Sequence, residues 1–228
     1  MIKLFGHDTS PYVRRIRVLL AELGLAFERD SRSWTVADAD VLRLNPMLRV
    51  PALSADRDDG TQQQLLDSKI IAAFLYEEQR VSGQPLPHAA LPVAPTMFDA
   101  ASRWDDENLL SMIDAATDSM INVFVLELDG ITRDKSAYLQ RQQSRTESCL
   151  RYLDDKLAGR TTFHEGRWSY LDIALTCSLD WMIFRDRYPV GVHPNLVRFL
   201  AQHAERPSLS STHPRLAANA ALPKASAK

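Results

Sequence analysis

The hydrophobic period of this chain changes once, at a cluster of prolines, and that change limits the folds open to it more than any other feature. Up to about residue 80, short apolar runs at strand spacing alternate with stretches at helical spacing. Beyond Ser82-Gly83-Gln84-Pro85-Leu86-Pro87, Pro92 and Pro95, only helical spacing remains. A mixed α/β domain followed by an all-helical one is therefore expected. The boundaries read as 1–80 for the first domain, 81–95 for a linker, 96–215 for the helical domain and 216–228 for an Ala-rich tail that frays. At 228 residues the chain is long enough for both domains to bury a core.

Within the first domain, Ile2 to Phe5 reads as a buried strand closed by Gly6. Val13, Ile16, Leu19, Leu20 and Leu23 then recur at helical spacing, with Arg14, Arg15 and Arg17 largely on the other faces. Ser10-Pro11 supplies an N-cap and an N1 proline, and Gly24 stands where a C′ residue is wanted. Leu25 to Arg29 reads as a second strand, and Ala37 to Leu44 as a weaker helix stopped by Asn45-Pro46. Val50 to Leu53 and Gln64 to Leu66 flank the turn residues Asp56 to Gly60 as a hairpin. Asp67-Ser68 caps a last helix whose apolar face is Ile70, Ile71, Phe74 and Leu75. The order is β-α-β-α-β-β-α.

The helical domain has periodic stretches at roughly 96–126, 133–158, 170–187 and 194–204. Ser169 to Asp172 has capping-box spacing, with Asp in place of Glu or Gln.

Composition narrows the chemistry by exclusion. Lys and Arg total 27 against 29 Asp and Glu, so the net charge is -2 and a nucleic-acid or anionic-lipid function is not indicated. Cys149 and Cys177 are the only thiols, too few for a disulfide framework and not in zinc spacing; with no His-x-x-x-His pair, no metal site is expected. The first eight residues lack the plan of a signal peptide and no apolar run reaches 18 residues, so a cytoplasmic protein without a membrane span is expected. The acidic pairs Asp114/Asp118 and Asp154/Asp155 read as solvated helix faces, and the cysteines as buried bystanders.

Five motifs in order resemble the cytosolic glutathione transferases over roughly residues 1 to 215. Thr9-Ser10-Pro11-Tyr12-Val13-Arg14 follows the first strand like the C-P-Y-C turn of glutaredoxin, with serine for the first cysteine. Asn45-Pro46-Met47-Leu48-Arg49-Val50-Pro51-Ala52-Leu53 is similar to the family's N-P-x-x-[KR]-V-P-x-L, and Leu66-Asp67-Ser68-Lys69-Ile70 to its [ED]-S-x-x-I. Ser169 to Leu175 resembles S-x-x-D-I-A-L, and Arg206-Pro207-Ser208 the usual ending. The resemblance implies a thioredoxin-like domain that binds glutathione as co-substrate, an all-α domain that holds a small apolar electrophile, and a homodimer.

It also implies roles. A thiol of pKa about 8.5 is under a tenth ionised at about pH 7.4, and lowering that pKa by about two units requires roughly 2.7 kcal/mol. A helix N-terminus supplies about 0.3–1 kcal/mol and one hydrogen bond to a charged group about 1.5–3. Ser10 is the hydroxyl placed for this, with Thr9 and, more remotely, Tyr12 as competitors and a plain N-cap as the structural alternative. Serine cannot form a mixed disulfide, which points to addition or substitution rather than thiol exchange. Val50-Pro51 is implied to be cis, although only about 5–6% of such bonds are, and to offer the Val50 backbone to the cysteinyl residue of glutathione. Arg49 would face the glycyl carboxylate, and Asp67 and Ser68 the γ-glutamyl end.

Trp104, Met112, Met120 and Phe124 are candidates for the electrophile pocket, although core packing explains their spacing as well. Other glutathione-dependent enzymes on this fold (dehalogenase, isomerase or peroxidase) and a non-catalytic binder share the same signature.

Overall fold

A computed structural model describes residues 1–31, 45–82, 103–164 and 166–216. The expected helix at Ala37 to Leu44, the linker from residue 83 on and most of the tail lie outside the described residues; residues 81 and 82, expected in the linker, still belong to a helix. The chain divides into two compact units, Met1–Met97 with Arg206–Lys228, and Phe98–Glu205. The chain from Arg206, expected within the helical domain, is grouped with the first unit, on which it packs back.

The first unit is built on a four-stranded sheet of order β2-β1-β3-β4, made of β1 (Ile2–Phe5), β2 (Glu28–Asp30), β3 (Ala52–Asp56) and β4 (Gln62–Leu66). β1 and β2 are parallel, joined through α1 (Pro11–Leu23), and the other pairs are antiparallel. The third strand starts after Pro51 rather than containing it, which relieves the sheet of a residue without an N–H. Ser10 caps α1 by accepting from the Val13 N–H at 3.3 Å, and Gly24 ends the helix at φ 68°. Val13, Ile16, Leu19 and Leu20 are fully buried, as their spacing implies.

The arginines of α1 depart from expectation. Arg14 and Arg15 are 1% and 0% exposed, and Glu22 is 1% exposed. Arg14 donates to the Leu209 carbonyl and the Thr212 hydroxyl, and Glu22 accepts from Arg206 and Ser208, all on the returning segment. Arg15 lies over the Tyr12 ring, 4.5 Å from its centroid. In α2 (Ser68–Ser82) the buried stripe is Ile71, Ala72, Leu75 and Tyr76, whereas Ile70, expected inside, is 56% exposed. The phase of the helix is set by its cap, which turns Ser68 inward and Ile70 out.

The second unit contains α3 (Arg103–Leu128), α4 (Ala137–Lys156), α5 (Tyr170–Phe184) and α6 (Pro194–His203); a short α7 (Pro207–Ser210) follows in the first unit. By length and mean hydropathy, 1.5 over 18 residues, α3 is apolar enough to cross a membrane, contrary to expectation. Its buried positions Leu110, Ile113, Ala116, Met120 and Val123 are those of a core helix packed on α4 and α5. Asp154 is no solvated residue: its carboxylate accepts from the Asn195 and Leu196 N–H groups at 2.8 and 2.9 Å and so caps α6. Cys177 is buried, and Cys149 is half-buried with its thiol pushed up by burial.

The capping box opens α5. The Asp172 carboxylate, fully buried, accepts from the Ser169 N–H at 2.8 Å, the Ser169 hydroxyl at 2.6 Å and the Phe163 N–H at 3.0 Å. Burial pushes its carboxyl above the usual range in spite of these bonds. Asp172→Ala leaves two buried N–H groups without partners, so a loss of about 1–3 kcal/mol is expected in urea unfolding. Asp172→Asn, which keeps an acceptor, should lose less.

Candidate functional site

One row of the sheet register brings the sequence motifs together. Phe5 pairs with Ala52, and Ala52 with Leu66. Each of these residues borders a motif: the Gly6 to Ser10 loop leaves Phe5, Val50-Pro51 precedes Ala52, and Asp67-Ser68 follows Leu66. With strands about 4.8 Å apart, the three segments emerge along one sheet end within about 10 Å. The N-termini of α1 and α2 open at this end, so both helix dipoles favour negative charge there.

Gly6 lets the pieces close. Its φ is +133°, and an added Cβ would stand 2.5 Å from Val13 Cγ2 and 2.9 Å from Val50 Cβ. The end of β1, the first turn of α1 and the Val50-Pro51 turn thus meet at the one position that lacks a side chain. The loop beyond Gly6 is tied by Asp8, whose carboxylate accepts from Arg29 on β2 and, at 3.4 Å, from Arg17 on α1. Asp8 and Gly6 were missed by sequence reasoning, which read Gly6 only as the end of a strand.

Ser10 is 5% exposed, at the N-cap, with extended backbone at φ -74° and ψ 129°. Its oxygen accepts the Val13 N–H through one lone pair, which leaves its own O–H as a donor. Thr9, half-buried, has its hydroxyl 3.2 Å from His7 Nδ1.

The Val50-Pro51 peptide is cis, as the motif implied. It is presented by a turn hung on Asn45, a fully buried residue whose role the motif alone did not reveal. The Asn45 side-chain oxygen accepts from the Met47 N–H at 2.9 Å, its amide donates to the Arg49 carbonyl, and its own carbonyl accepts from the Leu48 N–H at 3.1 Å. Among the described residues, neither the N–H nor the carbonyl of Val50 has a hydrogen-bond partner. Arg49 is exposed and Pro51 buried.

Asp67 is exposed at φ +76°, with its carboxylate accepting from the Lys69 N–H at 2.8 Å and its carbonyl from the Ile71 N–H at 3.0 Å. Ser68, next to it, is 4% exposed. All six candidate positions therefore sit on segments that border the same register row.

The second unit holds the remaining candidates. Met120 is a core residue, Phe124 packs edge-on against Trp181 at 5.9 Å, Met112 is half-buried and Trp104 is exposed. A cleft of about 440 Å³ in this unit is lined by Glu147, Arg151, Asp154, Tyr188 and His193 among others. The Tyr188 hydroxyl lies 2.8 Å from His193 Nε2, and burial lowers the His193 pKa and raises that of Tyr188. Two of its polar side chains thus satisfy each other, and Asp154 is spent on capping α6. Among the described residues no group of three His, Cys, Asp or Glu is placed to hold a metal ion.

Comparison with known proteins gives a consistent picture. Residues 4–84 match the family model of the glutathione S-transferase N-terminal domain, and residues 136–218 that of the C-terminal domain. An uncharacterized GST-like protein of Escherichia coli K12, YibF, is 26% identical over 220 residues, covering 93% of this chain and 98% of its own. Glutathione S-transferase GstB of the same organism is also 26% identical over 220 residues, covering 92% and 96%. The crystal structure of a glutathione S-transferase from Methylobacillus flagellatus KT with GSH bound superposes with a TM-score of 0.74 at 26% identity, covering 94% of this chain and 100% of that one.

Proposed function

Because the chain belongs to the glutathione S-transferase family, we propose that it binds glutathione at the sheet end where the three motifs converge. There Ser10 stabilises the thiolate for attack on a small apolar electrophile. The observation that carries this reading is the register row Phe5, Ala52 and Leu66, whose residues border the three segments that bear Ser10, Val50-Pro51 and Asp67-Ser68. The similar structure from Methylobacillus flagellatus holds GSH, which supports the same ligand here.

Glutathione lies across the row in this reading. Its cysteinyl backbone pairs with the Val50 N–H and carbonyl as a one-residue strand addition. Its γ-glutamyl carboxylate meets the N-terminus of α2 and the Ser68 hydroxyl, and its ammonium the Asp67 carboxylate. The glycyl carboxylate faces Arg49. The sulfur is left over the first turn of α1, where the Ser10 O–H donates to it and the helix end adds positive potential. The thiolate forms a C–S bond to the electrophilic carbon, and the leaving group departs with its electron pair or the adduct takes up a proton. The protein acts as a cytoplasmic homodimer in the same proposal, and sedimentation velocity checks the dimer.

Asp67→Asn tests the γ-glutamyl end. Asparagine caps a helix as well as aspartate and tolerates positive φ, so stability should stay within about 0.5 kcal/mol of wild type. The lost charge removes a charge-assisted bond of about 1.5–3 kcal/mol, so glutathione should bind about tenfold or more weakly in calorimetry. Unchanged affinity would remove Asp67 from the site.

A further inference from the structure

The first helix, α1, buries its apolar stripe and packs on α2, and off that stripe it is held by two buried charges. The Arg14 guanidinium donates from Nε to Thr212 Oγ1 at 3.3 Å and from Nη2 to the Leu209 carbonyl at 3.1 Å. Eight residues on, Glu22 accepts from Arg206 Nε and Nη2, both at 2.8 Å, and from the Ser208 hydroxyl. Thr212 in turn donates to the Ser208 carbonyl at 2.7 Å, so the short segment is internally braced. Leu209, Ser208 and Thr212 are all buried.

These contacts span about 12 Å of helix axis, so they fix both the rotation and the axial position of α1. An isolated helix of this length is marginal, and its ends are the parts that fray. Arg14 is one turn past Ser10, and its N–H donates to the Ser10 carbonyl at 3.0 Å. The anchor from the end of the chain therefore acts on the turn that presents the Ser10 hydroxyl.

We infer that Arg206–Thr212 is a clasp that sets the position of Ser10, and that Arg14 and Glu22 are positioning residues for the thiolate site. This rests on the reading of Ser10 given above. A displacement of about 1 Å at a reacting group can cost as much as about 100-fold in rate, so the clasp acts through kcat rather than through glutathione affinity.

The test compares Thr212→Val and the charge-free pair Glu22→Gln/Arg206→Met with wild type at 25 °C, with circular dichroism checking that each is folded. Thr212→Val should lower kcat about threefold to tenfold, leave KM for glutathione within about twofold, and move the ionisation of bound thiol upward by about half a unit or more. The double variant should do the same to a larger degree, and Thr212→Ser, which keeps the hydroxyl, should restore wild-type values. A lowered melting temperature with unchanged kcat and thiol ionisation in Thr212→Val would make the clasp purely structural and overturn the inference. If the double variant does not fold, Thr212→Val and its serine rescue still decide. Ser10→Ala, measured alongside, separates the two levels. No effect of Ser10→Ala on thiol ionisation defeats the reading of Ser10 and takes the clasp with it. A clear effect of Ser10→Ala with none from Thr212→Val defeats the clasp alone.

Discussion

Ser10→Ala is expected to raise the pH at which bound glutathione ionises by about one to two units and to cut kcat/KM at neutral pH about 10- to 100-fold. One hydrogen bond to a charged group is worth about 1.5–3 kcal/mol, and 1.36 kcal/mol is one unit of pKa. The helix end remains in the variant and keeps its smaller share of about 0.3–1 kcal/mol, so ionisation stays easier than in free glutathione. Affinity for the neutral thiol, measured well below the ionisation midpoint, should be nearly unchanged. The variant also loses the acceptor for the Val13 N–H and with it about 0.5–2 kcal/mol of stability. Ser10→Asp separates the two effects, since a carboxylate caps the helix but has no proton to donate. Its stability should match wild type while its thiol ionises no more easily than in Ser10→Ala. Thr9→Ala, whose hydroxyl stands against the His7 ring, should leave thiol ionisation close to wild type. A larger shift in Thr9→Ala than in Ser10→Ala would transfer the role to Thr9.

Gly6→Ala is expected to lose about 2–6 kcal/mol in denaturant unfolding and to abolish most glutathione binding. The backbone at φ +133° is closed to ordinary side chains, a strain of about 1–3 kcal/mol. The added methyl would also stand 2.5 Å from Val13 Cγ2 and 2.9 Å from Val50 Cβ, and overpacking of this kind costs about 1–3 kcal/mol. Both neighbours belong to segments of the proposed site, so relief by movement pushes α1 and the Val50-Pro51 turn apart. Gly6→Ala/Val13→Ala removes the closest contact and should recover part of the stability, while the positive φ keeps it below Val13→Ala alone. A Gly6→Ala variant within about 0.5 kcal/mol of wild type would mean that the three segments do not meet as tightly as described.

The elements of both units were legible wherever local chemistry decides them. Ser10-Pro11 and Gly24 bracket α1, the Asn45 to Leu53 motif leads into β3 through a cis proline, and Ser169 with Asp172 forms the capping box. The six candidate site residues stand on three short motifs, and each motif borders a residue of one register row.

What the sequence hid were charged and polar groups whose partners lie far along the chain. Arg14 was placed off the apolar stripe and Glu22 drew no notice, because charged residues are seldom buried and nothing near them announces Leu209, Thr212 or Arg206. Asp154 read as part of an acidic face, yet it caps a helix that begins 40 residues later, at Pro194. The exposure of Ile70 shows a different limit: a helical pattern gives the width of an apolar stripe but leaves its phase open by a residue until the cap is placed. Gly6 and Asn45 were each visible only as turn residues, because the close approach at one and the buried amide at the other are tertiary facts.

In the proposed site this sheet end lowers the pKa of a glutathione thiol. The direct measurement is the thiolate absorbance of glutathione bound to the wild-type protein, followed against pH at saturating ligand. The expected midpoint lies about two units below the value of about 8.5 for a free thiol. A midpoint at the free value, or no saturable binding of glutathione, would contradict the account.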